Sequence, residues 1–142
     1  MDLSRLWAPA FGCCVAGVLS GCSMSVEPTG GPPPPVPPAD GTVTVTWSLD
    51  LQHDPGLCVQ FGATHLELVV YDAQGRRVDK VTAPCQEFAV TDPLPEGTYT
   101  AEVTLIDPGS NARTVTKTIQ DIQVVAGTDE QIAIDFPSSS RL

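Results

Sequence analysis

The sequence predicts an all-β protein, an antiparallel sandwich of two sheets with six or seven strands. Apolar and polar residues alternate with period two in several segments, as in "TVTVTWSL" at residues 42–49, and this alternation is typical of half-buried strands. Turn-forming Gly, Pro, Asp and Asn residues separate these segments at intervals that are typical of sandwiches. No segment shows a helical repeat bounded by caps, and strands with one apolar face require a second sheet to cover it.

Length and charge limit the classes of function. The chain has 142 residues, enough for one domain, and a formal net charge of −10. Binding of nucleic acid requires a basic surface that neutralises phosphates, so the charge argues against a nucleic-acid partner. We expect the acidic residues to form a solvated surface that keeps the domain soluble.

Residues 1–21 are predicted to be an export signal. A short region with Arg5 precedes a stretch without charged side chains, residues 6–21, and small residues dominate the end of that stretch. The stretch is too short and too rich in glycine to predict a membrane-spanning helix.

The sequence "LSGC" at residues 19–22 resembles the lipobox of bacterial lipoproteins. In that family the Cys thiol carries a diacylglyceryl group and the signal is cleaved just before it, which implies lipidation of Cys22. Ser23 stands where an Asp often signals retention in the inner membrane, so the resemblance implies the outer membrane of a Gram-negative bacterium. The alternative is an ordinary secreted protein with a chance cysteine near its cleavage site.

Residues 22–41 are predicted to contain the lipidated cysteine and a linker rich in Pro and Gly. The run from Pro32 to Pro38, interrupted only by Val36, favours a polyproline II segment of about 20 Å. We interpret it as a spacer between the membrane and the domain. The other interpretation is a PxxP ligand for a partner domain.

The predicted domain spans residues 42–137, and its strands are placed by their apolar positions. These positions are Val43, Val45, Trp47 and Leu49; Leu66, Leu68 and Val70; Val78 and Val81; Phe88 and Val90; Tyr99, Ala101, Val103 and Leu105; Val115, Ile119, Ile122 and Val124; and Ile132, Ile134 and Phe136. "DAQG" at residues 72–75 predicts a hairpin turn. In the sixth group the apolar residues change from odd-numbered to even-numbered positions, which predicts a β-bulge near Gln120 and Asp121. Residues 138–142 are predicted to be a disordered tail.

Leu94, Gly97 and Tyr99 resemble the tyrosine corner of Greek-key sandwiches, in which the Tyr hydroxyl bonds back to the chain a few residues upstream. With the strand alternation, "LPEGTYTAEV" resembles immunoglobulin-like and transthyretin-like (prealbumin-like) modules of bacterial surface proteins. Position 101 holds Ala where antibody domains carry their second Cys. The resemblance therefore concerns the architecture and implies no immunoglobulin disulfide.

The cysteines predict a structural disulfide. Cys13 and Cys14 lie within the signal and Cys22 directly follows it, so only Cys58 and Cys85 belong to the predicted domain. Export would place that pair in an oxidising compartment, where a disulfide persists. A redox pair or a metal site is the alternative, but the spacing is not C-x-x-C, and two thiolates alone do not form a zinc site.

No residue set predicts catalysis or a cofactor. His53 and His65 have no partner at metal-ligand spacing, and no serine lies in a G-x-S-x-G motif. Glu67 and Glu102 are carboxylates on strands, and the sequence does not identify them as an acid–base pair.

No metal site is predicted either, although loop oxygens raise the question of calcium. Asp50 with Asp54, and Asp107 with Asn111, are the groups to consider. A dense D-x-D-x-D pattern is missing, and turn formation is the commoner role of such residues.

The sequence therefore predicts a non-enzymatic, lipid-anchored module of the cell envelope. Its predicted partners are the membrane, through the anchor, and an envelope protein. One alternative is a module that binds a sugar or a peptide through its loops or a sheet edge; another is an accessory subunit of an envelope complex. Exposed aromatic side chains would favour the ligand-binding alternative, and Phe61 and Tyr71 are the candidates.

Overall fold

Two β-sheets packed face to face form the fold in the computed structural model, which describes Pro35 and residues 39–142. The strands are β1 (Asp40–Leu49), β2 (His65–Asp72), β3 (Arg77–Pro84), β4 (Ala89–Pro95), β5 (Gly97–Ile106), β6 (Lys117–Val124) and β7 (Asp129–Phe136). Sheet A has three strands in the order β4–β1–β7, and sheet B has four in the order β3–β2–β5–β6. The predicted all-β sandwich is confirmed.

The core lies between the sheets and consists largely of the apolar residues that the alternation predicts. In the central strand of sheet A, Trp47 is 1% exposed, and the other inward residues of β1 are equally buried. The buried residues that share this core include Val43, Val45 and Leu49 of β1, Leu66, Leu68 and Val70 of β2, Tyr99, Ala101, Val103 and Leu105 of β5, and Phe136 of β7.

One strand pair departs from the antiparallel prediction. β1 and β7 run parallel, with Thr42 beside Asp129 at one end and Leu49 beside Phe136 at the other. The pair β1–β4 and all pairs in sheet B are antiparallel. Period-two alternation assigns a residue to a face but contains no information about strand direction. The direction of β7 is set by the chain crossing from β6 in sheet B to sheet A.

The predicted turn and bulge are both present. At residues 72–75 the N–H of Gly75 donates to the carbonyl of Asp72 at 2.9 Å, and Gly75 has a positive φ of 75°. In the pair β5–β6 the register shifts between Tyr99 and Ala101, so that Gln120 and Asp121 share the space of one residue.

A short helix corrects the expectation that no capped helix exists. Helix α1 (Pro55–Phe61) follows β1, and the Asp54 carboxylate accepts from the N–H of Gly56 at 2.8 Å as its N-cap. Gly62 ends the helix in a left-handed conformation, with φ of 66°. Seven residues are too few to show a helical repeat, so only the caps could have predicted it. Among the described residues, no helix is long and apolar enough to span a membrane.

The C-terminal tail is ordered, which corrects the prediction of disorder for residues 138–142. Ser138–Ser140 form a 3-10 helix, and the Ser138 N–H donates to Asp50 Oδ1 at 2.6 Å. The N–H of Val115 donates to the carbonyl of Ser140 at 2.8 Å. These partners lie far away in the sequence, so the polar composition of the tail gave no sign of them.

Candidate functional site

A disulfide closes the end of the sandwich at which β1 terminates. Cys58 of α1 is bonded to Cys85, which begins a 3-10 helix after β3, with a Cα–Cα distance of 6.1 Å. Both residues are buried. The predicted pair is therefore joined, and the bond holds α1 against the segment that leads into β4.

The backbone at this end is held in unusual conformations. Asp50, Leu51 and Phe88 have φ values of 50°, 61° and 55°, in the left-handed region that non-glycine residues rarely adopt. Leu51 is held there because its N–H donates to Asp135 Oδ1 at 2.7 Å, and the Asp50 N–H donates to the carbonyl of Phe136 at 3.1 Å. Strained backbone of this kind persists where the surroundings fix it and is frequent at functional sites.

This strained end presents apolar side chains to solvent. Leu51 and Val59 are each 81% exposed. Beside Val59 lies an open cavity of about 230 Å³, lined by Pro55, Ala63 and the disulfide among others. We call the exposed residues Leu51, Pro55 and Val59, at the end of the sandwich that holds the buried Cys58–Cys85 disulfide, the disulfide rim. It offers apolar contacts on a fixed backbone, which suits binding of a protein surface better than chemistry.

The two histidines lie apart. His53 is exposed next to the rim, and its ring meets that of Phe88 edge-on at a centroid distance of 5.2 Å. His65 begins β2, with Nδ1 2.9 Å from the Thr64 hydroxyl. Within residues 39–142, no three His, Cys, Asp or Glu side chains converge to hold a metal ion.

The loop carboxylates that raised the question of calcium have hydrogen-bond partners within the protein. Asp107 Oδ1 accepts from the N–H groups of Gly109 and Asn111 at 2.8 and 3.0 Å. The Asn111 bonds in particular lower the pKa of Asp107. The hydroxyl of Ser138 bonds to Asp50 and lowers the pKa of that carboxyl. Asp54 caps α1, so each of these three carboxylates accepts hydrogen bonds from the protein's own backbone.

The strand carboxylates and the aromatic candidates have structural partners. Glu67 pairs with Lys80 at 2.8 Å, and Glu102 accepts from the Tyr71 hydroxyl at 2.9 Å. Phe61 is 3% exposed, so its proposal as an exposed ligand contact is wrong. Its ring fills the core under α1, where the Arg141 guanidinium covers it at 5.4 Å.

The Tyr99 hydroxyl bonds backwards, as expected for a tyrosine corner. It donates to the carbonyl of Pro95 at 2.7 Å. Leu94 is buried, and the Tyr99 ring lies over Gly97, where a Cβ atom would be 3.4 Å from the ring. This contact fixes the start of β5 at the end of the domain opposite the disulfide rim.

A buried carboxyl was not predicted. Asp92 is only 3% exposed. It lies opposite the buried Val43 in the pair β1–β4, so its side chain points toward the core. Its Oδ2 has no hydrogen-bond partner. Asp79 lies opposite Val70 on β3, at the facing edge of the other sheet. Burial, with the charge of Asp79 as a second cause, raises the pKa of Asp92 from 3.8 to about 6.

Asp92→Asn is expected to stabilise the domain at pH 7 by about 1–2 kcal/mol, since it removes an unpaired buried charge. The folded protein holds the Asp92 proton more tightly than the unfolded chain does. The corresponding stability is present below pH 3.8 and is lost as the pH rises through about 6. Urea unfolding at a series of pH values should therefore show this loss in the wild type only. Asp40→Asn, at an exposed carboxyl that begins β1, is the control; an equal stabilisation by both changes would contradict the prediction.

The predicted export signal (residues 1–21), Cys22 and most of the proline-rich linker lie outside the described residues. The structure therefore leaves the lipobox as a prediction.

No protein-family model matches the sequence, and no curated protein matches it. Among solved structures, the chain is similar to the TIE protein of Bacillus anthracis, with 19% identity and a TM-score of 0.46 over 70% of this chain and 17% of that chain. It is also similar to a type II cohesin–X-dockerin complex from Acetivibrio cellulolyticus, with 17% identity and a TM-score of 0.43 over 72% of this chain and 55% of that chain. The chain thus spans less than a fifth of the first neighbour and about half of the second. At TM-scores this low, the matches carry no argument about function.

Proposed function

We propose that this protein is a lipid-anchored, non-catalytic interaction module of the bacterial cell envelope. The observation that carries the proposal is the disulfide rim. There Leu51 stands almost fully in solvent on a left-handed backbone that Asp135 and Phe136 hold in place. Strained backbone clusters at binding sites, and Leu51 and Val59, both exposed at this end on a fixed backbone, offer apolar contacts to a protein partner.

The position of the rim suits a tethered module. The chain enters the domain at Asp40, and β1 then runs for ten residues to Leu49 beside the rim. At about 3.3 Å per residue this strand spans roughly 30 Å. The rim therefore lies at the end of the domain away from the point at which the linker and Cys22 are attached.

Fractionation of cells tests the anchoring. The wild type is expected in the membrane fraction, and Cys22→Ala should shift the protein to the soluble fraction, because it removes the thiol that would receive the lipid. Cys13→Ala and Cys14→Ala are matched controls within the same signal and should change nothing. If the Cys22→Ala protein remained in the membrane fraction unchanged, the anchor would be disproved.

Photocrosslinking in intact cells tests the rim separately. A crosslinking amino acid at Val59 should capture an envelope protein, and Leu51→Asp should reduce that capture severalfold because it places a charge in the contact. The same amino acid at Val78, which is also exposed but lies on β3, is the control. Equal capture from positions 59 and 78 would argue against the rim as the contact surface.

A further inference from the structure

We propose that the free edge of β7 binds an extended, basic segment of a partner protein by strand addition. This inference goes beyond the disulfide rim, since it assigns a second surface and the chemistry of its partner. It rests on the proposed role as an interaction module and is independent of lipid anchoring.

The backbone of β7 has an unpaired side. In the parallel pair with β1, the Thr42 N–H donates to the carbonyl of Thr128 at 2.9 Å and the Asp50 N–H donates to the carbonyl of Phe136 at 3.1 Å. In a parallel strand, the backbone groups of every second residue bond to the same neighbouring strand. The N–H and carbonyl groups of the even-numbered residues of β7 therefore point toward β1. The N–H and carbonyl groups of Gln131 and Ala133 therefore point away from sheet A, and both residues are exposed.

Each of the other three sheet edges is interrupted. β4 contains Pro93 and Pro95, which lack a backbone donor. β3 carries an extra residue where its register with β2 shifts, and β6 has the bulge at Asp121. Among the four edge strands described, β7 alone pairs all eight of its residues with its neighbour in unbroken register and contains no proline. Natural edge strands normally carry such interruptions against unwanted pairing, so an uninterrupted edge is suited to wanted pairing.

The side chains beside this edge are incompletely covered. Ile132 and Ile134 lie opposite Val45 and Trp47, so they point toward the core, yet both stay half-buried. Ile119 on β6, across the gap between the sheets, is also half-buried. A fourth strand in sheet A would cover these isoleucines. On the opposite side of the sandwich, between the edge strands β3 and β4, the inward side chains include the carboxyls of Asp79 and Asp92. A strand added there would cover these carboxyls and not apolar isoleucines.

The charge of the edge favours a basic partner. β7 contains Asp129, Glu130 and Asp135 and no basic residue. Hydrogen bonds led by that from the Thr42 hydroxyl lower the pKa of Asp129, so this carboxyl is charged at neutral pH. A second copy of β7 would bring like charges together, which disfavours self-pairing. A lysine- or arginine-bearing extended segment is the complementary occupant.

The test measures binding of three synthetic octapeptides to the full-length protein in detergent at physiological salt. The first alternates Lys with Val and Thr; the second replaces each Lys by Glu; the third has the first sequence with N-methyl groups on alternate backbone nitrogens. The first peptide should bind, and the other two should bind at least tenfold more weakly. The N-methylated peptide keeps the charge, so it separates strand pairing from attraction to an acidic protein.

Substitutions at position 133 place the binding on β7. Ala133→Pro removes an outward-pointing N–H and should weaken binding at least tenfold, whereas Ala133→Ser retains this donor and should bind like the wild type. Hydrogen exchange should show slower exchange at Gln131 and Ala133 when the first peptide is bound, a measurement that does not depend on folding of the proline variant. Equal binding of the first and third peptides, no binding of any, or a dimer through β7 would overturn the proposal. Each of these outcomes leaves the anchoring and rim experiments unaffected.

Discussion

Trp47→Ala is expected to lower the free energy of unfolding by about 3–5 kcal/mol, the usual cost of removing a large aromatic side chain from a core. Trp47 is 1% exposed in the central strand of sheet A, and its ring lies 6.2 Å from that of Phe88. Its indole Nε1 donates to the carbonyl of Cys85 at 3.0 Å. Alanine therefore leaves a cavity and, in addition, a buried carbonyl without its donor. Urea unfolding followed by circular dichroism measures the loss.

Trp47→Phe separates the two contributions. Phenylalanine retains most of the ring volume but cannot donate to Cys85, so about 1–2 kcal/mol should be lost. If Trp47→Ala cost less than Trp47→Phe, or less than about 1 kcal/mol, the core position assigned to Trp47 would be wrong.

The strands could be predicted because burial in a sandwich repeats directly in the sequence. "TVTVTWSL" alternates over the whole of β1, and the buried residues Val43, Val45, Trp47 and Leu49 are the apolar ones. The parity change in β6 located the bulge at Asp121 for the same reason. A face assignment needs only the residue and its immediate neighbours in sequence.

Features that depend on distant partners could not be predicted in this way. The tail is ordered by the bonds from Ser138 to Asp50, two residues separated by 88 positions. The exposure of Leu51 follows from a positive φ that Asp135 helps to hold, and no local pattern indicates it. By contrast, α1 has a local signal that periodicity does not contain: Asp54 followed by proline at the start and Gly62 at the end.

The candidate site was predictable only in its covalent part. Cys58 and Cys85 are the two cysteines of the predicted domain, so position alone paired them. Phe61 was misassigned because an aromatic residue in a loop-like sequence looked exposed, whereas a helix turns it into the core. Asp92 was missed because a charged residue on an inward register has no sequence signature distinct from a turn aspartate.

Removing the disulfide by Cys58→Ser with Cys85→Ser is expected to cost about 3.5 kcal/mol, from the entropy of the loop it closes in the unfolded chain. That loop has a sequence separation of 27. The loss should appear as a lower urea midpoint in the double variant and in the reduced wild type. As the control, the reducing agent should lower the midpoint of the wild type and leave that of the double variant unchanged. Unaltered stability after reduction would contradict the assignment of the bond as structural.

The same change should loosen the disulfide rim before the rest of the sandwich. Helix α1 has seven residues, too few to be stable in water by itself, and the disulfide is its covalent link to the segment after β3. In the double variant under folding conditions, amide exchange should accelerate in α1 at Val59, Gln60 and Phe61, while Val45 in β1 and Val103 in β5 remain protected. Capture of a partner from position 59 should fall in parallel, because Val59 lies on α1 and would no longer be held in place. Acceleration spread evenly over α1 and the central strands would show instead that the bond stabilises the whole domain without organising the rim.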